Sequence, residues 1–230
     1  LWRLLPAALV PALMLTTLLL RLWDLNHIPP WLWWDEAGNG LDARSLLQGE
    51  FRIFFPRSLG KEPLYIYLTA PFVALWDGEP GAVRAAGALL GALMAAAGLW
   101  TVNYWPQSVN RLGLRVNSLP LILTLACVAW LHWTRRPERR RAIFFGFLAG
   151  LTLYTYLSAR ITPLLWALLY FTLPASRRGA LRSSIAWALG SFILTVAPLG
   201  LHFALHPYDA VQRVSFFVIS SIAQDGALAS

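Results

Sequence analysis

The sequence predicts an all-α membrane protein, a polytopic bundle of about seven transmembrane helices. Hydrophobic residues make up 57% of the chain and charged residues 13%, whereas soluble domains carry roughly 45–50% and about 25%. The apolar residues also stand in long runs free of Asp, Glu, Lys and Arg. A bilayer core needs about 20 apolar residues of helix. Because lipid offers no hydrogen-bond partners to the backbone, we expect each spanning run to be helical.

Seven apolar runs are candidates for these helices. They cover Leu4–Leu20, Pro63–Trp76, Ala85–Asn110, Val116–Thr134, Ala142–Ala159, Ile161–Ser176 and Ser183–Tyr208. The run Pro63–Trp76 is shorter than a span requires, so it is either a partly buried helix or one that begins at the interface.

The first run has the character of an uncleaved signal anchor. Arg3 precedes the apolar stretch, and no small-x-small cleavage site follows Leu20. The chain begins at Leu1 and stops at Ser230 without a clear boundary. We therefore expect residues 1–230 to form a single transmembrane module, either a fragment or a shortened version of a longer protein.

Two arginine clusters predict the orientation in the cell membrane, because cytoplasmic loops are rich in Lys and Arg. They are Arg135, Arg136, Arg139, Arg140 and Arg141, and then Arg177, Arg178 and Arg182. With both in the cytoplasm, the outer segments become Asp24–Glu62, Asn103–Arg115, the turn near Ser158–Arg160, and His206–Arg213, while Asp77–Pro80 becomes an inner turn. Loop arginine also accounts for the net charge of +8, so no nucleic acid is expected as a partner.

The long first outer loop is expected to carry a short in-plane helix. Asp35 would cap this helix, which would run through Leu47 and end at Gly49. Its apolar side chains would rest on the membrane and its charged ones would face water: Leu41, Leu46 and Leu47 against Asp42 and Arg44.

The sharpest chemical signal is the pair of adjacent carboxylates in Trp33-Trp34-Asp35-Glu36. A carboxylate in low-dielectric surroundings has a raised pKa and can act as a general base. Asp35 and Glu36 are therefore the candidate catalytic residues. The alternative is a helix start, where acids interact well with the helix dipole.

Several cations on the predicted outer side can bind a phosphate. Lys61 would act as a point charge, with an interfacial snorkelling lysine as the alternative. Arg111 and Arg115 stand four residues apart and can grip an anion together, although a lipid headgroup would satisfy the same pair. Arg160 is an isolated charge between two apolar runs, which marks a functional candidate.

Weaker substrate-contact candidates are Tyr156, His206 and Arg213. A lone histidine is structural more often than catalytic, so His206 carries little weight alone. The single cysteine, Cys127, excludes an internal disulfide or a cysteine-based zinc cluster, and no metal ligand set is assigned.

Together these motifs resemble a known family. The order Trp34-Asp35-Glu36, then Gly60-Lys61-Glu62-Pro63-Leu64, then Arg84 opening a Gly/Ala-rich helix is similar to the GT-C glycosyltransferases. The similar branch is glycosyltransferase family 39, which contains protein O-mannosyltransferases and lipid A aminoarabinose transferases. Later segments resemble bacterial members of that branch: Arg111-Leu112-Gly113-Leu114-Arg115, Tyr154-Thr155-Tyr156…Arg160 and His206-Pro207…Arg213.

The resemblance implies an inverting hexosyl or pentosyl transferase with an extracytoplasmic active site and a polyprenyl-phosphate-linked sugar donor. The acceptor would be a glycan, a lipid or a protein. Asp35 would be the general base, Glu36 would assist it or bind a divalent metal as in some relatives, and Lys61 would lie near the donor phosphate. Two departures stand out: members have two helices between the positions of Arg84 and Asn110, where one fits here, and members are longer.

Two other functions fit parts of the pattern. A non-catalytic, truncated relative would bind polyprenyl lipid without turnover. A transporter would carry charges inside its spans and broken helices in related halves, whereas the spans here are nearly free of charge and no halves match.

Overall fold

The computed structural model describes residues 5–94 and 111–211, and these residues are all-helical apart from one isolated bridge between Phe55 and Lys61. The α-helices, in chain order, are α1 Leu5–Leu22, α2 Trp34–Leu47, α3 Leu64–Leu75, α4 Pro80–Met94, α5 Ser118–Arg135, α6 Arg139–Thr152, α7 Thr162–Thr172 and α8 Ala175–Leu205. Two 3₁₀ turns, Arg115–Asn117 and Leu157–Ile161, precede α5 and α7. Each apolar run predicted above overlaps one of these helices, although most of Ala85–Asn110 lies outside the described residues.

The helices α5, α6 and α8 form the larger packing unit. The Cβ of any side chain at Gly146 would lie 2.1 Å from the carbonyl oxygen of Ala188, so glycine is what lets α6 approach the backbone of α8. Trp133 of α5 donates its indole N–H to the Ser184 hydroxyl of α8 at 2.9 Å. A cluster of aromatic rings fills the space between these helices and α7: Trp130, Trp133, Phe145 and Trp166.

The helices α2, α3 and α4 form a second unit at the end of α1. Their shared core contains Ala43, Leu46, Phe55, Ile66, Ala70, Val73, Ala82 and Val83. Leu25, just after α1, packs against Ala85 and Ala88 of α4. This unit carries Asp35, Glu36 and Lys61 of the predicted site residues.

The turn between α3 and α4 lies on the side opposite to the one predicted from sequence. Arg44 of α2 donates to the backbone oxygen of Asp77 at 3.1 Å, and the Gly81 N–H donates to the side chain of Asn26 at 2.8 Å. The turn Asp77–Pro80 is therefore beside the segment that was predicted to be outside, and the prediction that the two lie on opposite sides of the membrane was wrong. The physical reason is that α3 is too short to cross a bilayer core, because its 12 residues span only about 18 Å.

The orientation predicted for α2 also needs correction. Asp42, expected in water, is buried, and Leu46, expected on the membrane, lies in the core. Leu41 and Leu47 are exposed on the other side of the helix. The N-cap residue of α2 is Trp33 rather than the predicted Asp35. The backbone N–H of Trp33 donates to the Glu36 side chain at 2.9 Å.

Within the described residues, two helices are long and apolar enough to cross a membrane: Arg115–Arg135 and Ala175–Leu205. The helix α8 has 31 residues, or about 46 Å of length. Its first turns contain Arg177, Arg178 and Arg182, which were expected in a loop.

Candidate functional site

Glu36 and Arg84 form a buried ion pair that holds the polar end of the molecule together. The Arg84 Nε donates to Glu36 Oε1 at 2.9 Å, and neither side chain is more than 1% exposed. The other guanidinium N–H groups donate to the carbonyl oxygens of Leu25, Pro29 and Trp31 at 2.7–3.0 Å. Arg84 thereby ties the chain after α1 to the start of α4.

The same carboxylate also binds the segment before α5. Glu36 Oε1 accepts the Gly113 N–H at 2.8 Å, while the Asn39 side chain donates to the Gly113 carbonyl at 2.7 Å. Both Glu36 oxygens thus accept hydrogen bonds from the protein. Such a carboxylate acts as a structural link, whereas Asp35, the other member of the predicted pair, is partly exposed.

Lys61 forms the second buried pair of the site. Its side chain has no exposed surface, and its Nζ donates to Asp42 Oδ2 at 2.9 Å. The other Asp42 oxygen accepts from Arg57 Nε at 3.0 Å. The backbone of Lys61 exchanges two hydrogen bonds with Phe55, which anchors the loop between them. Burial lowers the pKa of Lys61 below its usual value, and Asp42 partly offsets this effect.

Gly38 provides the space that Lys61 occupies. A Cβ at this position would lie 2.6 Å from the lysine Nζ, so any larger residue would push the lysine away from α2. Asp35 is three residues before Gly38 and Asp42 is four after it, so all three lie along one face of α2. The negative charge of Asp35 also acts on Lys61 and raises its pKa.

Asp35 is half-buried and forms no ion pair with any other described residue. Every other acid in the segment 24–62, which is fully described, has a basic partner: Asp24 with His27, Glu36 with Arg84, Asp42 with Lys61, Glu50 with Arg52 and Glu62 with Arg115. An unpaired carboxylate beside a buried ammonium group can accept a proton without breaking a structural contact.

Glu62 joins three distant segments. It accepts from Arg115 at 3.2 Å and from Arg160 at 3.4 Å. The Arg115 guanidinium lies 5.5 Å from the ring centre of Tyr156. Arg160 also donates to the Ala210 carbonyl and lies 4.8 Å from the ring centre of Phe203. The structure therefore brings Lys61, Arg115, Arg160 and Tyr156 to the same end of the molecule as Asp35.

Other predicted residues lie elsewhere in the fold. Arg111 donates to the backbone oxygens of Leu20, Trp23 and Ile28, so it closes the end of α1. His206 is exposed and stacks on His202, with 4.7 Å between ring centres. Arg213 falls outside the described residues.

Sequence reasoning missed the partners of these groups. Asp42, Arg57 and the His202–Asp209 pair, which is 2.9 Å apart, were not singled out, and Arg84 and Glu62 were noted only within motifs. A signal for Asp42 existed, because it stands two helical turns after Asp35. Nothing in the sequence signals the other pairings.

The site carries a positive excess. Three carboxylates, Asp35, Asp42 and Glu62, face four cations, Arg57, Lys61, Arg115 and Arg160. Arg57 and Arg160 keep 48% and 33% of their side-chain surface exposed, so an anion from outside can reach them. Among the described residues, no group of three His, Cys, Asp or Glu side chains is placed to hold a metal ion.

Comparisons with protein-family models, with curated proteins and with solved structures found no match to this chain.

Proposed function

We propose that this chain is a module of a membrane glycosyltransferase that moves a sugar from a polyprenyl-phosphate donor to an acceptor hydroxyl. The observation that carries the proposal is the position of Asp35. It is a carboxylate without an ion pair among the described residues, and it lies on the face of α2 against which Lys61 packs. The surrounding cluster has an excess of positive charge. The resemblance of Trp34-Asp35-Glu36 and Gly60-Lys61-Glu62-Pro63 to GT-C enzymes supports the same class.

The proposal includes a multi-pass arrangement in the cell membrane. The second half of the molecule supports it, because α7 and α8 expose large apolar side chains that water would not favour: Leu164, Leu168, Phe171, Ile193, Leu194 and Leu201. The arginine clusters lie at one end of α5, α6 and α8, which we assign to the cytoplasm. The site with Asp35 and Arg160 is at the other end, which we assign to the outside. The helix α3 belongs to the outer layer, so fewer helices cross than the seven expected.

The proposed reaction is a single displacement with inversion at the anomeric carbon. Asp35 takes the proton of the acceptor hydroxyl, whose oxygen forms the new bond to the anomeric carbon. The bond between that carbon and the phosphate oxygen breaks, and polyprenyl phosphate leaves with the electron pair. Lys61 and Arg160 stabilise the charge that develops on the phosphate.

The test is Asp35→Asn, assayed for transfer of labelled sugar from a polyprenyl-phosphate donor in membranes. Loss of the base should lower turnover by a factor of about 10²–10⁴. Glu79→Gln is the matched control, since Glu79 is an exposed acid without an ion pair in the described residues. Unchanged turnover in Asp35→Asn would remove the assignment of the base.

The second candidate is a non-catalytic protein that binds polyprenyl lipid. It is favoured by one observation, that Glu36, Asp42 and Glu62 all serve structural ion pairs. Donor binding without any transfer by the unmodified chain would support this candidate over the transferase.

A further inference from the structure

The net charge of the chain is concentrated at the end of the bundle opposite to Asp35. Residues 135–182 contain nine basic residues, and eight of them lie at this end: Arg135, Arg136, Arg139, Arg140, Arg141, Arg177, Arg178 and Arg182. We call these eight residues the arginine surface. One acid, Glu138, stands among them, so this surface holds +7 of the total charge of +8.

The two halves of the arginine surface are neighbours in space. Arg177 of α8 donates to the backbone oxygen of Thr134, at the end of α5, at 3.4 Å. The guanidinium of Arg139, at the start of α6, lies 3.5 Å from the ring centre of Trp187 in α8. Arginines that are 40 residues apart in sequence therefore form one cationic surface.

This surface is only partly compensated by acids among the described residues. The helices α6 and α8 both begin here, and neither has an acid in its first turn, although Glu138 is the N-cap residue of α6. The positive end of a helix dipole favours anions, so arginine in a first turn is locally unfavourable. Within the described part of the chain, Glu138 forms an ion pair with Arg141 alone, at 3.2 Å. The surface therefore attracts negative charge from outside the chain.

A cleft in the same surface has the right chemistry for a lipid. It lies between α5 and α6, has a volume of about 400 Å³, and is lined by Val128, Ala129, His132, Arg140, Arg141 and Phe144. Val128 and Phe144 offer exposed apolar surface. Arg141 is held by Glu138 and by the His132 carbonyl. Arg140 has no partner among the described residues.

We infer that this cleft binds an anionic phospholipid of the surrounding bilayer. The phosphodiester lies against Arg140 and Arg141, and an acyl chain lies along Val128 and Phe144. Basic pockets between membrane helices on the cytoplasmic side bind such headgroups. The apolar wall favours a lipid over a soluble polyanion, which would use the charges but not the side chains of Val128 and Phe144.

The experiment measures lipid retained by the purified chain in nanodiscs of phosphatidylcholine doped with phosphatidylglycerol, using native mass spectrometry. Arg140→Gln with Arg141→Gln should lower phosphatidylglycerol retention at least about tenfold, because each arginine near the headgroup contributes measurably to the attraction. Arg178→Gln with Arg182→Gln removes the same charge from the same surface outside the cleft, and should lower retention less than about threefold.

Three outcomes would overturn the inference. They are equal losses in the two double variants, equal retention of phosphatidylcholine and phosphatidylglycerol, and full displacement of the lipid by an RNA oligomer. If the cleft variant does not fold, Val128→Trp takes its place, since it fills the apolar wall and keeps every charge. Its retention of phosphatidylglycerol should also fall, and undiminished retention would contradict the site.

Discussion

The Lys61 ammonium nitrogen lies 2.9 Å from Asp42 Oδ2, and the lysine side chain has no exposed surface. The sequence predicted that Lys61 meets a phosphate at the surface, but the structure buries its side chain against Gly38. The charge of Asp35 acts on the lysine at this position. In the proposed reaction Lys61 acts from within the protein, while Arg160 is the cation that meets the donor directly.

Gly38→Ala should weaken both the fold and the activity. The added Cβ would lie 2.6 Å from the Lys61 Nζ and would displace it from Asp42. In an exposed helix the same change gives about 1 kcal/mol of stabilisation. We therefore expect a lower melting temperature and reduced transfer for Gly38→Ala, against a small increase in melting temperature for Gly190→Ala in α8, where nothing lies within 4 Å. A stabilised, fully active Gly38→Ala would contradict the placement of Lys61.

Glu36→Gln should destabilise the protein strongly. It leaves the buried Arg84 without its counter-charge, and breaking a buried pair in this way costs about 3–5 kcal/mol. Thermal unfolding in detergent measures the effect. Glu50→Gln is the control, because Glu50 pairs with Arg52 at the surface and exposed pairs contribute about 0–1 kcal/mol. A double variant, Glu36→Gln with Arg84→Met, should lose less than the sum of the two single changes. Additive losses would argue against a coupled pair.

The pH dependence of donor binding should report on Lys61. Because burial lowers the pKa of this lysine from 10.5, its charge is lost at a lower pH than that of a lysine in water. Between the lowered pKa of Lys61 in the folded protein and the ordinary pKa of 10.5, the unfolded chain binds more protons than the folded one, so the contribution of Lys61 to stability rises with pH. Over the same range Lys61 loses its charge, so its attraction for phosphate falls. As the pH is raised, binding of polyprenyl phosphate should therefore weaken below pH 10.5, the pKa of an ordinary lysine.

Lys61→Arg supplies the control for that profile. Arginine keeps its charge over this range, so the alkaline loss of donor binding should move to higher pH or disappear. An identical profile in the unmodified protein and the variant would show that another group controls it.

Arg160→Gln and Arg111→Gln should have different effects. Arg160 contacts Glu62 and is one-third exposed at the site, so its loss should raise the KM for the donor about tenfold or more. Arg111 instead binds carbonyl oxygens at the end of α1, so its loss should lower the melting temperature with little change in KM. Titration of the donor in the transfer assay and thermal unfolding separate the two. A raised KM in Arg111→Gln would return that residue to the donor site.

The helices were predictable from composition because a long apolar run that is to lie in lipid can satisfy its backbone hydrogen bonds within the segment only as a helix. The predicted run Val116–Thr134 agrees with α5 to within a few residues at both ends. The predicted run Ser183–Tyr208 agrees with the C-terminal end of α8 in the same way, but α8 begins earlier, at Ala175. The positions of the apolar runs also predicted that the arginine clusters lie at the opposite end of the helices from Asp35 and Lys61. The side on which Asp77–Pro80 lies was not predictable in this way, because it depends on contacts with Arg44 and Asn26 that lie far away in sequence.

By itself the sequence determined an all-helical chain rich in apolar segments, with a group of acids and cations at one end and arginines at the other. Only the tertiary structure decided which acids are paired. The partners Glu36 and Arg84 are 48 residues apart, and Glu62 and Arg115 are 53 apart. Residue type shows that a charge exists, but burial requires a partner within hydrogen-bond distance, and the packing of α2, α3 and α4 selects that partner. Asp35 stands out because every other acid of the segment 24–62 has a basic partner in the structure, whether local or distant in sequence.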